Sequence, residues 1–213
     1  MGNINLNLGC SLEAMRSMGD NQYDLAIVDP PYGIERLSKI TLQGSGKLKN
    51  RTLNRDTKIQ RWDIAPPPEY FEELRRVSKN QIIWGGNYFD LPPTRCVIAW
   101  DKVQPWENFS GWEMAWTSYN KPAPIFRFDN RTKGKIHPTQ KPAALYRWLL
   151  DKFTEPGDKI LDTHLGSGSI AIACYDAGFA LDAWEIDPDY HARALARFEK
   201  HSRQLRLFGG DDG

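Results

Sequence analysis

A proline-stiffened acidic turn near the start of the chain has residue types that suit an amine. Asp29-Pro30-Pro31-Tyr32 directly follows the apolar run 25–28. Loops at the carboxyl ends of parallel strands form the ligand crevice of an open α/β sheet, so this turn is expected to face a ligand. The Asp29 carboxylate and the Pro30 carbonyl can each accept one N–H of a planar amine, while Tyr32 stacks on its ring. These four residues are predicted to be catalytic, with Tyr32 also binding substrate; the alternative is a merely rigid turn.

A glycine-rich turn later in the chain has the spacing of a nucleotide-binding loop. Gly166, Gly168 and Ala171 match the pattern G-x-G-x-x-G/A between the apolar run 159–161 and a predicted helix. Glu185 ends the next apolar run, where an acid can bind ribose hydroxyls. Taken alone, this pattern fits a nicotinamide dinucleotide as well as S-adenosylmethionine.

Four motifs together resemble the β class of DNA amino-methyltransferases over nearly the whole chain. They are Asp29-Pro-Pro-Tyr32, His137-Pro-Thr-Gln-Lys-Pro142, Asp162 with the turn Gly166-Ser-Gly168, and Glu185-Ile-Asp187. In that class the catalytic tetrapeptide precedes the cofactor glycines, a circular permutation relative to most methyltransferases, and this chain has that order. The resemblance implies an α/β, Rossmann-like, S-adenosylmethionine-dependent methyltransferase fold, circularly permuted, with a mainly parallel sheet. The stretches 84–87, 100–102 and 162–166 look most similar to the phage and prophage adenine methyltransferases of this class.

The resemblance also implies which residues bind S-adenosylmethionine, with Glu185 on the ribose. These residues are Cys10, His137, Thr139, Lys141, Pro142, Asp162, His164, Gly166, Ser167, Gly168, Ser169, Glu185 and Asp187. Two positions depart from the usual pattern, because His164 stands where Phe is common and Cys10 stands where an acid often follows the glycine. The alternative for His137 and His164 is a plain hydrogen-bonding role in a loop. Neither histidine has a partner at ligand spacing, so no metal is predicted.

A basic stretch after the tetrapeptide suits a phosphate backbone. Residues 35–61 carry eight Lys or Arg against two acids. The segment 33–61 is therefore predicted to be a DNA-contacting loop. Its substrate-binding candidates are Lys47, Lys49, Arg51 and Arg55. The alternative is a solvated loop with no partner.

Apolar runs alternate with amphipathic stretches, which is typical of a mainly parallel α/β sheet. Strands are predicted at 4–7, 25–28, 81–84, 97–100, 113–117, 125–128, 159–161 and 181–184. Helices are predicted at 11–18, 68–77, 143–153, 169–177 and 188–201, with Ser11 as the candidate cap of the first. The proline-rich, aromatic middle is expected to form an antiparallel edge, and parts of 87–135 small target-recognition insertions. Asn87 and Glu113 either line the base pocket or are ordinary polar residues at strand ends.

Length and composition bound the architecture. With 213 residues, 40% of them hydrophobic, the chain suits a single methyltransferase domain over 1–213. No apolar run reaches the roughly 18 residues of a membrane helix, and the start lacks the layout of a signal peptide. A cytoplasmic location in a bacterium or a phage-infected cell is therefore expected. Three cysteines without Cys-x-x-Cys spacing indicate neither disulfides nor zinc, and the composition leaves both monomer and homodimer open.

The resemblance implies methylation of adenine N6 of a flipped base, with DNA as partner and S-adenosylmethionine as methyl donor. Asp rather than Ser at position 29 brings the resemblance closer to the adenine enzymes, and cytosine N4 methylation, which uses the same fold and amine chemistry, is the runner-up. An inactive cofactor-binding subunit is disfavoured because Asp29, Tyr32 and Gly168 are intact. A nicotinamide dehydrogenase leaves the tetrapeptide and 137–142 unexplained. Few residues remain for target recognition outside the predicted catalytic core, mainly the basic loop and parts of 87–135. The target site is therefore expected to be short or degenerate.

Overall fold

The computed structural model describes residues 2–34, 64–103, 110–129 and 140–208, with the side chains of the last helix described to 204. Its strands are β1 (Ile4–Leu8), β2 (Tyr23–Val28), β3 (Ser78–Trp84), β4 (Val97–Asp101), β5 (Trp112–Thr117), β6 (Ile125–Arg127), β7 (Lys159–Asp162) and β8 (Ala180–Glu185). Its α-helices are α1 (Ser11–Arg16), α2 (Pro68–Val77), α3 (Ala143–Phe153), α4 (Ser169–Ala177) and α5 (Pro188–Phe208). A short 3-10 turn, Gly86–Tyr88, follows β3.

The strands form one sheet in the order β1-β8-β7-β2-β3-β5-β4-β6. In this spatial order, every neighbouring pair in the part β1-β8-β7-β2-β3 is parallel. By contrast, β5 is antiparallel to both of its neighbours, β3 and β4. After β2 the chain moves outward to β3, and after β7 it moves outward in the other direction to β8. The direction therefore reverses between β7 and β2, and a ligand crevice is expected outside the carboxyl ends of these two strands.

Helices cover both faces of the sheet. Leu25 of β2 belongs to a buried cluster with α3, α4 and α5. Its neighbour Ala26 belongs to the cluster on the opposite face, with α1 and α2. Successive side chains of a strand point to opposite faces, so a strand that is buried on both sides consists of apolar residues throughout. This explains the continuous apolar character of β2, in which Leu25 through Val28 are all buried.

The predicted α/β class and antiparallel edge are confirmed, and every predicted strand and helix is present. The helices at 68–77, 143–153 and 169–177 have the predicted bounds, and the other elements differ from the prediction at one or both ends. The prediction of Ser11 as a cap was wrong, because α1 begins at Ser11 and its cap position, Cys10, makes no side-chain cap hydrogen bond. The last helix continues past the predicted residue 201 to Phe208. Within 87–135, three segments are strands of the main sheet, which leaves only the connections between them as candidate insertions. In the described part of the chain, no helix has the length and apolar character needed to cross a membrane.

The turn between β7 and α4 packs against α5. Gly168 has a φ of 72°, and a Cβ at this position would lie 3.2 Å from the Cβ of Ala194 in α5. Arg197 on the same helix donates to the Ser167 carbonyl at 2.7 Å and to the Ser169 hydroxyl at 2.9 Å. The turn therefore has a left-handed backbone held close to a helix, a combination that favours glycine.

We expect Gly168→Ala to lower the free energy of unfolding more than Gly178→Ala. Both glycines have left-handed φ values, 72° and 79°, so alanine strains the backbone at each by about 1–2 kcal/mol. Among the described residues, a Cβ at Gly178 meets nothing within 4 Å, whereas at Gly168 it presses on Ala194 and requires α5 to shift. Urea unfolding of both variants measures the difference, and equal losses would contradict this account of the turn.

Candidate active site

A cavity of about 520 Å³ opens at the reversal point between β2 and β7. The loops after β1, β2, β7 and β8 all line it, so four parallel strand ends contribute to one site. The tetrapeptide 29–32 lies in its wall, as do Gly166 and Glu185. The volume falls within the range typical of small-molecule sites.

Glu185 organises the glycine turn. Its two carboxylate oxygens accept the N–H of Gly166 at 2.8 Å and the N–H of Asp187 at 3.0 Å. The N–H of Gly9 donates to the Glu185 carbonyl at 2.8 Å, which joins the loop after β1 to the same point. Each carboxylate oxygen has two lone pairs, so Glu185 can accept further hydrogen bonds from a ligand in the cavity. A pair of neighbouring hydroxyls suits this carboxylate.

Buried hydrogen-bonding side chains adjoin the glycine turn. The backbone N–H of His164 donates to the Asp162 carboxyl at 2.9 Å. The Thr163 hydroxyl lies 2.9 Å from the ring Nδ1 of His164 and 2.6 Å from the Tyr70 hydroxyl. Burial raises the pKa of Asp162 to about 8, so most of this carboxyl is protonated at pH 7. Burial also lowers the pKa of His164 to about 4, which leaves the imidazole neutral. These two groups therefore add little charge to the site at neutral pH.

Asp29 has a partner on each carboxylate oxygen. The Tyr32 hydroxyl donates to Oδ1 at 2.7 Å, and Nζ of Lys141 contacts Oδ2. Each oxygen retains a second lone pair, so Asp29 can accept another N–H without losing either partner. The carboxylate is thus held in place while it remains open to a ligand.

Lys141 is a buried cation between two carboxylates. The residue is only 4% exposed, and its Nζ lies 3.3 Å from Oε2 of Glu113 in addition to contacting Asp29. The other Glu113 oxygen lies 2.5 Å from Nζ of Lys102. Burial alone lowers the pKa of Lys141, but the charges of Asp29 and Glu113 outweigh it and raise this pKa above its ordinary value. Burial likewise favours a raised pKa for Glu113, yet the two lysines bring it below its ordinary value, so Lys141 and Glu113 are both charged at neutral pH.

The ring of Tyr32 packs on the turn after β3. Its centroid lies 4.8 Å from that of Tyr88, with the ring planes 19° apart, and Phe89 contacts it edge-on at 6.1 Å. Gly85, with a φ of 68°, approaches so closely that a Cβ there would lie 2.2 Å from Tyr32 Cε1. The observed ring position therefore requires glycine at residue 85.

Most predicted site residues that the structure describes lie in the cavity wall. The wall includes Cys10, the tetrapeptide 29–32, Lys141, His164, Gly166, Ser167, Glu185 and Asp187. Gly168 and Ser169 contact α5 instead, and Asp162 and Pro142 are buried outside the lining. Asn87 is exposed in the 3-10 turn, also outside the lining. The remaining candidates, Lys47, Lys49, Arg51, Arg55, His137 and Thr139, lie outside the described residues.

Further lining residues are not apparent from the sequence. Tyr70 and Tyr146 lie on helices whose apolar faces pack on the sheet, where a tyrosine is most simply interpreted as core. Glu113, one of two open candidates at strand ends, does line the cavity. Its partner Lys102 follows β4, and β4 and β5 are antiparallel neighbours. An acid and a lysine at adjoining ends of an antiparallel pair are therefore the signal that could have identified this contact.

The arrangement can hold two ligands side by side. Glu185 offers acceptors for hydroxyls, while Asp29 offers an acceptor for an amine next to the ring of Tyr32. Within the described ranges, no group of three or more His, Cys, Asp or Glu side chains is placed to hold a metal ion. Acceptors for hydroxyls next to an acceptor for an amine suit the transfer of a group from a hydroxyl-bearing donor to an amine.

Comparisons with known proteins agree with this chemistry. A family model for N6/N4 methyltransferases, described as DNA methylase, matches residues 83–196, which is more than half of the chain. The type II methyltransferase M2.MboI of Moraxella bovis is 24% identical over 223 residues. That alignment covers 80% of this chain and 78% of the M2.MboI chain.

Solved structures share the fold. The M1.HpyAVI–SAM complex matches with a TM-score of 0.60 and 18% identity, covering 91% of this chain and 98% of the other. The PvuII DNA methyltransferase, which is cytosine-N4-specific, matches with a TM-score of 0.61 and 18% identity, covering 99% of this chain and 94% of the other. At this identity the likeness establishes the shared fold alone.

We expect Glu113→Gln to lower the free energy of unfolding by on the order of 1–3 kcal/mol at pH 7, because it removes the charge that faces Lys141 and Lys102. The folded-state pKa of Glu113 is depressed. Its contribution is therefore fully present above the unfolded value of about 4 and is lost as the pH falls through the folded pKa. The difference between wild type and variant should accordingly shrink below about pH 4.

Chemical unfolding of wild type and Glu113→Gln at pH 7 and below about pH 4 measures this difference in the free energy of unfolding. Asp151→Asn is the matched control, because it neutralises a carboxylate in an exposed ion pair with Arg147, at 2.9 Å. This substitution should change stability by less than about 1 kcal/mol. A loss in Glu113→Gln that is independent of pH would contradict the electrostatic explanation.

Proposed function

The chain belongs to the N6/N4 family of DNA methylases, and on this basis we propose that it transfers a methyl group from S-adenosylmethionine to N6 of an adenine extruded from DNA. In this proposal the tetrapeptide 29–32 is the catalytic motif. The methyl donor occupies the part of the cavity lined by the glycine turn and Glu185.

One observation carries the proposal: two motifs with different tasks open into the same cavity. Asp29 follows β2, Glu185 ends β8, and both line the space of about 520 Å³. Methyl transfer requires donor and acceptor to be in contact. Holding two reactants in the right geometry contributes on the order of 7–11 kcal/mol to such a step.

The described residues fit S-adenosylmethionine. Glu185 offers its carboxylate to ribose hydroxyls, and Leu12 and Ile186 supply an apolar wall for a base, with Ile186 64% exposed. Gly166 leaves room for a ligand, since the nearest described atom to its Cβ position is the His164 carbonyl oxygen at 3.8 Å. When bound, S-adenosylmethionine supplies a methyl group activated on a positively charged sulfur.

Asp29 and Pro30 orient the amine. An aromatic amine is a poor nucleophile because its lone pair is delocalised into the ring. Hydrogen bonds from its two N–H groups to the Asp29 carboxylate and the Pro30 carbonyl favour a pyramidal nitrogen with a directed lone pair. Positive charge grows on this nitrogen during attack, and the Asp29 carboxylate stabilises it. Asp29 therefore acts as acceptor and electrostatic stabiliser. After the methyl group has moved, the methylated nitrogen carries a positive charge and releases one proton to solvent water.

Tyr32 stacks on the extruded base. Its ring lies against Tyr88, which is 45% exposed, so aromatic surface continues from the cavity toward the outside. Extrusion of a base costs a few kcal/mol of unstacking. Stacking on an aromatic side chain contributes about 1–3 kcal/mol per base, and so offsets much of that cost.

Adenine is proposed ahead of cytosine because position 29 is Asp rather than Ser. Cytosine N4 is the second candidate, since the family includes both activities and a protein of the same fold, the PvuII enzyme, is cytosine-N4-specific. Both amines adjoin a ring nitrogen and require the same acceptors, so the chemistry of Asp29 applies to either.

DNA is the proposed partner, with residues 33–61 as its contact. The support is the composition of this segment, which carries eight Lys or Arg. These eight residues lie outside the described residues, so the support comes from the sequence. Lys and Arg that neutralise phosphates provide affinity without sequence preference, which agrees with a short or degenerate target site. The phage-type assignment and a place in restriction-modification rest on the sequence resemblance alone.

Mass analysis of nucleosides tests the proposal directly. DNA incubated with the protein and S-adenosylmethionine should contain N6-methyldeoxyadenosine. A product of N4-methyldeoxycytidine would select the second candidate. The absence of any methylated nucleoside would overturn both.

Asp29→Ala should abolish methyl transfer while the affinity for S-adenosylmethionine stays within a few-fold, because the carboxylate serves the amine. Calorimetry measures cofactor affinity, and a methyl-transfer assay measures turnover. Asp176→Ala is the control, because Asp176 pairs with His201 at 2.7 Å outside the cavity and should leave turnover unchanged. Near-normal turnover in Asp29→Ala would remove Asp29 from catalysis.

Tyr32→Ala should reduce kcat/KM for DNA by roughly 5- to 150-fold, the equivalent of a lost stack. Tyr32→Phe keeps the ring and loses only the hydrogen bond to Asp29, so its loss should stay below about tenfold. Parallel kinetics on one DNA duplex compare them. Equal losses would mean that the hydroxyl, and not the ring, is the important group.

A further inference from the structure

Lys141 is buried beside the catalytic carboxylate, yet methyl transfer as proposed uses neither its charge nor its N–H groups. The family resemblance assigns this residue to the cofactor, whereas its contacts in the structure are with Asp29 and Glu113. We infer that Lys141, Glu113 and Lys102 form a positioning chain that holds the Asp29 carboxylate in the orientation that the target amine requires. The inference rests on the proposed function.

The positioning chain is continuous. Lys141 contacts Oδ2 of Asp29 and lies 3.3 Å from Oε2 of Glu113, and Oε1 of Glu113 lies 2.5 Å from Lys102. An ammonium group has three N–H donors, so Lys141 can bind both carboxylates at once. Asp29 is thereby connected through two further charged groups to a lysine whose side chain is 14% exposed.

Two tryptophans form a rigid platform for the chain. Nζ of Lys141 lies 5.1 Å from the ring centroid of Trp84, and Nζ of Lys102 lies 5.4 Å from that of Trp100. Both tryptophans are almost fully buried, and their rings meet at 81°. A cation over an aromatic face is attracted to it, which favours the observed position of each ammonium group over its ring.

The alternation of charges explains why the chain acts on Asp29. A buried cation is costly without compensation, and Lys141 is compensated by a carboxylate on either side. Without Lys141, Asp29 and Glu113 would share a site with no cation between them, and the two carboxylates would repel each other. This repulsion would move the Asp29 carboxylate out of the place where it accepts an N–H of the amine.

Two members of the positioning chain, Glu113 and Lys102, come from the antiparallel edge of the sheet. Trp100 on β4 pairs with Glu113 on β5, and the N–H of Lys102 donates to the Gly111 carbonyl at 2.9 Å. Lys141 reaches the same point from the start of α3. A region expected to serve target recognition therefore contributes positioning residues to the catalytic centre.

The pH dependence of kcat/KM tests the inference, because this quantity reports essential ionisations of the free enzyme. Lys141→Met removes a cation that lowers the pKa of Glu113 in this cluster, so the acid limb should move to higher pH by roughly 1–3 units. Glu113→Gln removes an anion from the same cluster, so its acid limb should move to lower pH. The described titratable groups that face Asp29 are Tyr32, Tyr70, Tyr146, Glu113, Lys141 and Asp162.

Two further variants complete the experiment. Lys159→Met is the matched control, since Lys159 pairs with Asp182 at 2.7 Å and lies 4.7 Å from the Tyr23 ring centroid, outside the cavity. It removes the same kind of lysine and should leave the limb in place. If Lys141→Met does not fold, Lys102→Met tests the outer end of the chain and should shift the limb upward by a smaller amount.

The outcomes separate the inference from the function on which it rests. Wild-type protein that methylates no base overturns the proposed function, and the inference with it. An active wild type whose Lys141 or Lys102 variants keep the wild-type acid limb overturns only the positioning chain. An unchanged limb with weakened binding of S-adenosylmethionine in Lys141→Met would place Lys141 on the cofactor instead.

Discussion

The parallel pairing of β2 with β7 is the constraint on which the site depends. Leu25 pairs with Ile160 and Ala26 with Leu161, so the two strands end at the same edge of the sheet. Their following turns, which are far apart in the chain, thereby become neighbours in one cavity. A slip of one residue would move every side chain of β2 to the other face. Leu25 and the smaller Ala26 pack against different helices, so such a slip would disrupt close packing on both faces. The relative placement of the catalytic and glycine turns follows from this register.

Five carboxyl groups of the described residues lie in or beside the cavity, and they are stabilised in three ways. Glu185 and Asp187 accept backbone N–H groups, Asp29 and Glu113 share Lys141, and Asp162 is mostly protonated at neutral pH because it is buried. Like charges at such proximity would otherwise repel one another. The site thus retains negative charge where a ribose and an amine need acceptors, without placing several unpaired carboxylates together. Function and stability are linked here, since the groups that compensate the charge also fix the geometry.

The sequence predicts the elements and the two main motifs well, because both depend on local order: apolar runs, the stiff turn at 29–32 and the glycine spacing. It fails where a role depends on contacts between distant segments. The packing of Gly168 against Ala194 of α5, for example, is not visible in the glycine spacing, and the role of Gly168 in cofactor binding stays a prediction. The contact of Glu113 with Lys102 depends on the pairing of β4 with β5. The contact of Lys141 with Asp29 brings the segment before α3 to the loop after β2, which residue types alone do not indicate. The prediction of Ser11 as the cap of α1 was wrong by one residue, because Ser11 is the first residue of the helix and Cys10 occupies the cap position.

The place of β1 at the end of the sheet has a consequence for biosynthesis. β1 pairs with β8, with Ile4 opposite Leu181, and the Gly9 N–H bonds to the Glu185 carbonyl. One wall of the cavity, formed by the loop that begins at Gly9, therefore depends on a contact that spans most of the chain. Such distant pairings form late, because a long loop must close first. On the ribosome, β1 emerges before β8 and lacks this partner strand until β8 has been synthesised. A ligand that contacts this wall stabilises chains in which the two strands have joined, so its binding favours them over chains that still lack β8.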